Sequence, residues 1–148
     1  MGKTRGFTLI ELMVTIAVMA VIAMMAAPTF TSLIRKNQLN TNARDFENKL
    51  KETRSNALLR QKTQNLSIDA NDAEAWRPNT EIEWNSTLSS SVNKITYNML
   101  GLLDSTTNLC FVLQHKKDTA FKAVIIVRRT GLVIYDKSRT DCSNLGTD

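Results

Sequence analysis

Gly6-Phe7-Thr8-Leu9-Ile10-Glu11-Leu12 opens an apolar run that extends over residues 7–27 and carries a single charge, Glu11. As a helix, that run would be about 31 Å long at roughly 1.5 Å per residue, close to the roughly 30 Å of a bilayer's hydrocarbon core. A carboxylate in a lipid-facing helix costs on the order of 2.5 to 3.5 kcal/mol, so Glu11 asks for a partner. A cut between Gly6 and Phe7 would create an α-amino group about one helical turn from Glu11, with the opposite charge. A neighbouring chain displaced along the helix axis could bring its own amine to this carboxylate, which would couple neutralisation to assembly.

Lys3-Thr4-Arg5-Gly6 followed by Phe7-Thr8-Leu9-Ile10-Glu11-Leu12 resembles the processing site of type IV prepilins and type II secretion pseudopilins. The resemblance implies that a membrane prepilin peptidase cuts after Gly6 and methylates the Phe7 amine. It also implies that Glu11 helps dock the subunit into a helical filament, and that Pro28 kinks the helix. Two other readings fit less well. A secretory signal cut at Ala26-Ala27 would have a shorter apolar run, of about 7 to 15 residues, and no internal acid. A plain single-span anchor leaves Gly6 and Glu11 unexplained.

The chain has 148 residues and a formal charge of +5. With residues 1–62 assigned to leader and stalk, the remaining head is small and would gain from packing on the stalk or from a crosslink. The charge alternates along the chain. Residues 28–62 hold eight Lys/Arg against three acids, residues 63–108 two against six, and residues 109–148 seven against four. That pattern suits contacts between unlike subunits, or a solvated surface. Basic residues flank both ends of the apolar run, so orientation rests on the resemblance and on the cysteines. There are two of these, Cys110 and Cys142. In an exported chain an even pair reads as one disulfide; the alternative is two free thiols with Cys110 buried in a strand. No CxxC spacing points to metal or redox chemistry.

Leu39, Ala43, Phe46, Leu50, Thr53 and Ala57 recur in steps of three and four, the apolar stripe of an amphipathic helix. A helix is expected over about residues 7–62, with Asp45–Lys49 and Glu47–Lys51 as acid-before-base pairs; its stripe could line a coiled coil, but with too few sustained heptads for one it is expected to be buried under the head's sheet. After Lys62 the period becomes two, at Leu66, Ile68 and Ala70, at Ile82 and Trp84, and at Ile95, Tyr97 and Met99. Residues 71–79, around Trp76 and Pro78, and the serine-rich residues 85–93 read as loops, the latter exposed. Residues 109–113, 121–127 and 132–135 are rich in β-branched and aromatic side chains. Arg128-Arg129-Thr130-Gly131 reads as a hairpin turn with Gly131 at positive φ. Cys142 would pin the polar tail, residues 136–148, to the strand holding Cys110. The expected fold is α+β: a long N-terminal helix, transmembrane then amphipathic, packed on an antiparallel β head. Its segments are a leader at 1–6, a membrane or filament-core helix at 7–27, an amphipathic helix at 28–62 and a head at 63–148.

Catalysis finds little material. The one histidine, His115, falls in a strand-end turn and is expected to be exposed. No phosphate loop, HExxH or nucleophile elbow occurs, and no enzyme activity, cofactor or metal is expected. The basic last third offers an alternative: Lys116, Lys117, Lys122, Arg128, Arg129, Lys137 and Arg139 could meet DNA phosphates in a salt-sensitive way. The architecture is similar to the H-type pseudopilin group, which includes FimT- and FimU-like minor pilins. Some FimT-like pilins bind DNA through a Gly-Arg-x-Arg element; here Gly131 is followed by Leu132-Val133-Ile134, so that element is absent. The resemblance implies a minor pilin that helps initiate or cap a type IV pilus, with roles in twitching motility, adhesion or DNA uptake. A DNA-uptake pilin and an H-type pseudopilin of a type II secretion system are the alternatives. The implied partners are major and minor pilins, the prepilin peptidase and the inner-membrane assembly platform. The implied location is the bacterial inner membrane, single-pass with the head in the periplasm, and then a filament.

Overall fold

The computed structural model describes residues 6–143 and 145, with the side chains of residues 25–29 outside that set. One helix, α1, runs over Leu9–Arg60. The chain divides into two compact units, with the boundary between Ile34 and Arg35.

In the first unit, α1 begins on a capping box. Thr8 is the N-cap, its carbonyl accepting the Leu12 N–H at 3.2 Å. Its own N–H and hydroxyl donate to Glu11 Oε2 at 3.0 and 2.9 Å, and the Glu11 N–H donates back to Thr8 Oγ1 at 3.3 Å. Two helix-end donors are thereby satisfied, and a carboxylate sits at the positive end of the dipole. No helix among the described residues is long and apolar enough to cross a membrane. The described side chains of the apolar run stop at Met24. The helix is continuous through position 28, and the expected kink turns on Pro28, whose side chain lies outside the described residues.

The second unit holds the rest of α1 and the head. Strands β1 (Gln64–Ser67) and β3 (Lys94–Tyr97) form an antiparallel pair. Strands β2 (Ile82–Trp84), β4 (Leu109–His115), β5 (Asp118–Val127) and β6 (Val133–Asp136) form a second antiparallel sheet in the order β2-β4-β5-β6. Leu39, Ala43, Phe46, Leu50 and Ala57 of the expected stripe are buried against Leu109, Phe111, Leu113, Ala123, Ile125 and Val127, while Thr53 is half-buried. Phe46 is the hub of the aromatic packing, with ring centroids 4.6 Å from Trp76, 5.1 Å from Trp84 and 5.4 Å from Phe111. Cys110, Val112, Val124 and Ile126 point to the opposite face, where Leu88, Ile134, Cys142 and Leu145 cover them. β4 is therefore buried on both faces, which is why it reads as a continuous apolar run.

Several details depart from the sequence reading. α1 stops at Arg60 because Gln61 takes a left-handed conformation, φ 48°, and the Lys62 N–H closes back on Ala57 O at 3.3 Å. That is a C-terminal cap built without the usual glycine. Asp45 pairs with the Trp76 indole N–H at 2.6 Å, and Lys49 turns to Glu52 at 2.9 Å, whereas Glu47–Lys51 forms as expected at 2.6 Å. Trp76 does lie in a loop, yet its ring is buried on Phe46. His115 is buried, not exposed: it shares a face with Leu109, Phe111 and Leu113 and meets Gln38 of α1.

The serine-rich loop also has a structural task. The Asn85 and Ser90 N–H groups donate to Val112 O and Cys110 O at 2.8 and 2.7 Å. The Cys110 and Val112 N–H groups donate to the hydroxyls of Ser90 and Ser89 at 3.0 and 2.9 Å. Side-chain hydroxyls thus continue the edge of β4 where β2 has ended.

Tyr97 is fully buried, and its hydroxyl has no hydrogen-bond partner among the described residues; burial also pushes its pKa up. A buried unpaired hydroxyl costs about 1 to 3 kcal/mol. Tyr97→Phe is therefore expected to leave the fold intact and raise its stability by up to about 1 kcal/mol, as measured by urea unfolding. A loss of stability would show that the hydroxyl has a partner.

Candidate functional site

The sequence-derived positions fall in four places. The first is the expected processing junction. Gly6 and Phe7 are exposed, and a Cβ at Gly6 would meet nothing within 4 Å. The fold therefore has no need of glycine there. Phe7 and Thr8 lead directly into the capping box, which holds Glu11 at the start of α1. The Thr8-x-x-Glu11 signature is legible in the sequence, but the expectation of an intermolecular partner for Glu11 passed over it.

The second place is the staple. Cys110 and Cys142 form a disulfide with Cα atoms 5.8 Å apart, closing a separation of 32 residues and tying the tail over the second face of the sheet. On the chain-entropy scale such a loop is worth about 3 to 4 kcal/mol. Cys142→Ser is expected to lower stability by that order and to free the tail. Thermal unfolding with and without reductant checks this: wild type should lose stability on reduction and the variant should not.

The third comprises the seven cations, which separate into three groups. Lys116 and Lys117 occupy the β4–β5 turn, where Lys117 pairs with Glu81 at 3.1 Å and holds that carboxyl below its usual range. Arg128 and Arg129 occupy the β5–β6 turn, at the other end of a ten-residue strand, roughly 30 Å away at about 3.4 Å per residue. Lys122, Lys137 and Arg139 lie at mid-strand and in the tail among acids. Arg139 pairs with Asp136 at 3.3 Å, Lys122 and Arg139 both act on Asp141, and Lys137 lies 5.8 Å from the Tyr135 ring centroid.

The fourth place was not anticipated. Arg54 of α1 donates through Nε to Gly101 O at 2.9 Å and through Nη2 to Thr130 O at 3.2 Å, and the Leu103 N–H donates to Arg129 O at 3.0 Å. One guanidinium thus locks two turns onto the end of the helix. The signal for it was weak, a cation on the half-buried flank of the stripe. Nearer the other end of the head, the Lys117 N–H donates to His115 Nδ1 at 3.1 Å, which leaves Nε2 to carry the ring proton toward Gln38 Oε1, also at 3.1 Å. His115 is thereby a joint between sheet and helix.

A cleft of about 440 Å³ lies between the serine loop and residues 68–70, floored by Trp84 and Phe111. Among the described residues no group of three or more His, Cys, Asp or Glu side chains is placed to hold a metal.

Comparison with known proteins gives the class first. Residues 1–27 match the prokaryotic N-terminal methylation motif. The long helix on antiparallel sheets is the type IV pilin fold. Two crystal forms of the type IV minor pilin FimU of Pseudomonas aeruginosa (strain PAO1) share it. The P21 form has a TM-score of 0.56 at 15% identity, over 72% of this chain and 94% of that one. The P65 form has 0.55 at 14%, over 71% and 98%. Among curated proteins no sequence matches the chain.

Proposed function

We propose that this chain is a minor pilin: a structural subunit, without catalytic activity, that helps initiate or cap a type IV pilus. The observation that carries this reading is the junction. An exposed glycine that the fold does not require directly precedes a capped helix whose apolar run holds one acid. Recognition by a prepilin peptidase explains that glycine, and docking on a neighbour's freed amine explains the acid. Residues 7–27 hold the subunit in the inner membrane until extraction, with the head in the periplasm, where an oxidising environment suits the Cys110–Cys142 bond. Its partners are other pilins, the peptidase and the assembly platform. The three-way separation of the basic residues gives direct DNA binding no continuous strip to track. An H-type pseudopilin of a type II secretion system would share the same junction.

The test separates capping from docking at Glu11. Glu11→Gln retains the neutral half of a capping box but cannot answer a charged amine. Both Glu11→Ala and Glu11→Gln are expected to be processed normally. Both should then fall by about tenfold or more in the sheared filament fraction, because an unmatched buried charge costs about 3 to 5 kcal/mol. If Glu11→Gln assembles like wild type, capping is the whole role of Glu11 and the docking role is lost.

A further inference from the structure

Beyond Ile34, every large hydrophobic side chain left exposed among the described residues gathers at one pole of the head. They are Leu58 and Leu59 at the end of α1, Met99, Leu100 and Leu102 around one turn, and Leu132 after another, with exposures from 40% to 79%. The three segments touch: a Cβ built on Gly101 would lie 3.0 Å from the Leu58 side chain, and one on Gly131 would lie 1.9 Å from Gly101 O.

The pole is rigid. The Asn98 side chain accepts the N–H groups of Leu100 and Leu102 at 2.9 and 3.1 Å. The Asn98 backbone bonds Leu102 O and the Gly101 N–H at 3.0 and 2.9 Å, and Arg54 ties this turn to Thr130. Apolar side chains held outward on a hydrogen-bonded scaffold are pre-organised for association and lose little freedom on binding.

The rim identifies the occupant. Arg60, Lys62 and Arg129 are exposed in the segments that carry these side chains, residues 58–62, 98–104 and 128–132, whose one acid is Asp104. Two copies meeting pole to pole would oppose the same cations, which disfavours an isologous pair. A membrane-surface site of the interfacial kind is an amphipathic helix lying along the lipid, whereas this pole is a helix end and two turns; nor does it offer a ring for base stacking. On the reading of the chain as a pilus subunit, we propose that this pole docks the head of a different pilin-type subunit through an apolar centre with an acidic rim.

The test uses the full chain in cells that assemble the filament, with a photo-crosslinking phenylalanine analogue replacing Leu100 and, as a control, Thr119 on β5. Position 100 is expected to give an adduct with one other pilin-type subunit, identified by mass spectrometry, and position 119 none. Adding Arg129→Glu should cut the yield by about tenfold. Leu100→Asp with Leu132→Asp should remove the adduct partner from the filament fraction while the disulfide stays intact. No adduct, an adduct with lipid, DNA or a second copy, equal yield from position 119, or indifference to Arg129→Glu would each overturn the proposal. The same gels report the leader. A processed, filament-borne subunit without the adduct defeats this surface alone, whereas a retained leader defeats the subunit reading itself.

Discussion

Gly131→Ala is expected to be the most damaging single methyl in the head, costing about 3 to 5 kcal/mol. Gly131 has φ 80°, where a side chain costs about 1 to 2 kcal/mol. Its Cβ would also lie 1.9 Å from a backbone oxygen, Gly101 O, and 2.7 Å from Arg54 Nε. Neither atom is the free end of a flexible chain, so the two turns must part. The Arg54–Gly101 and Leu103–Arg129 hydrogen bonds would go with them, at about 1 to 3 kcal/mol for a charged donor and about 1 for a neutral one. Gly101→Ala is the internal comparison. It too has positive φ, 70°, but the atoms nearest its Cβ belong to the Leu58 side chain, at 3.0 Å, which can turn aside. Urea unfolding should rank Gly131→Ala well below Gly101→Ala. Equal or small losses would mean that the turns are not locked together.

Gly6→Val is expected to have the largest biological effect and almost no physical one. Since nothing lies within 4 Å of the position, the head should fold and melt like wild type. The intact mass should nevertheless retain residues 1–6, and the filament fraction should lack the protein. A processing site shaped around glycine loses a substrate carrying a branched side chain by about a hundredfold or more. Normal removal of the leader in Gly6→Val would contradict the assignment of the junction.

The helix stripe was legible because Leu39, Ala43, Phe46, Leu50, Thr53 and Ala57 keep a strict three-and-four spacing that only a one-sided helix uses. The β5–β6 turn was legible from Gly131, and the pairing of Cys110 with Cys142 from their number and the expected export. Other features depend on partners that sequence spacing does not disclose. Gln61 caps α1 in a conformation that residues of its type rarely take, so the helix end carried no signal. Asp45 left its helical neighbour for an indole 31 positions away. His115 could have been found by parity, since it continues the alternate positions of Leu109, Phe111 and Leu113. The serine loop could not, because hydroxyls that replace a strand look like any polar linker. At the candidate site, local sequence alone points to Gly6, Phe7 and Glu11 and the fold adds the Thr8–Glu11 cap, whereas the apolar pole joins three segments that only the fold brings together.

In a filament subunit of the kind proposed, the hydroxyl-covered margin of β4 keeps neighbours from pairing edge to edge. A bare sheet margin offers a repeating ladder to any extended chain, and subunits packed side by side would be prone to zip together in runaway stacks. Ser89 and Ser90 occupy that ladder with groups that cannot be extended by another strand. Growth is thereby left to contacts that fix a rotation and a rise between neighbours, so order in a polymer and solubility of its unassembled parts cease to conflict.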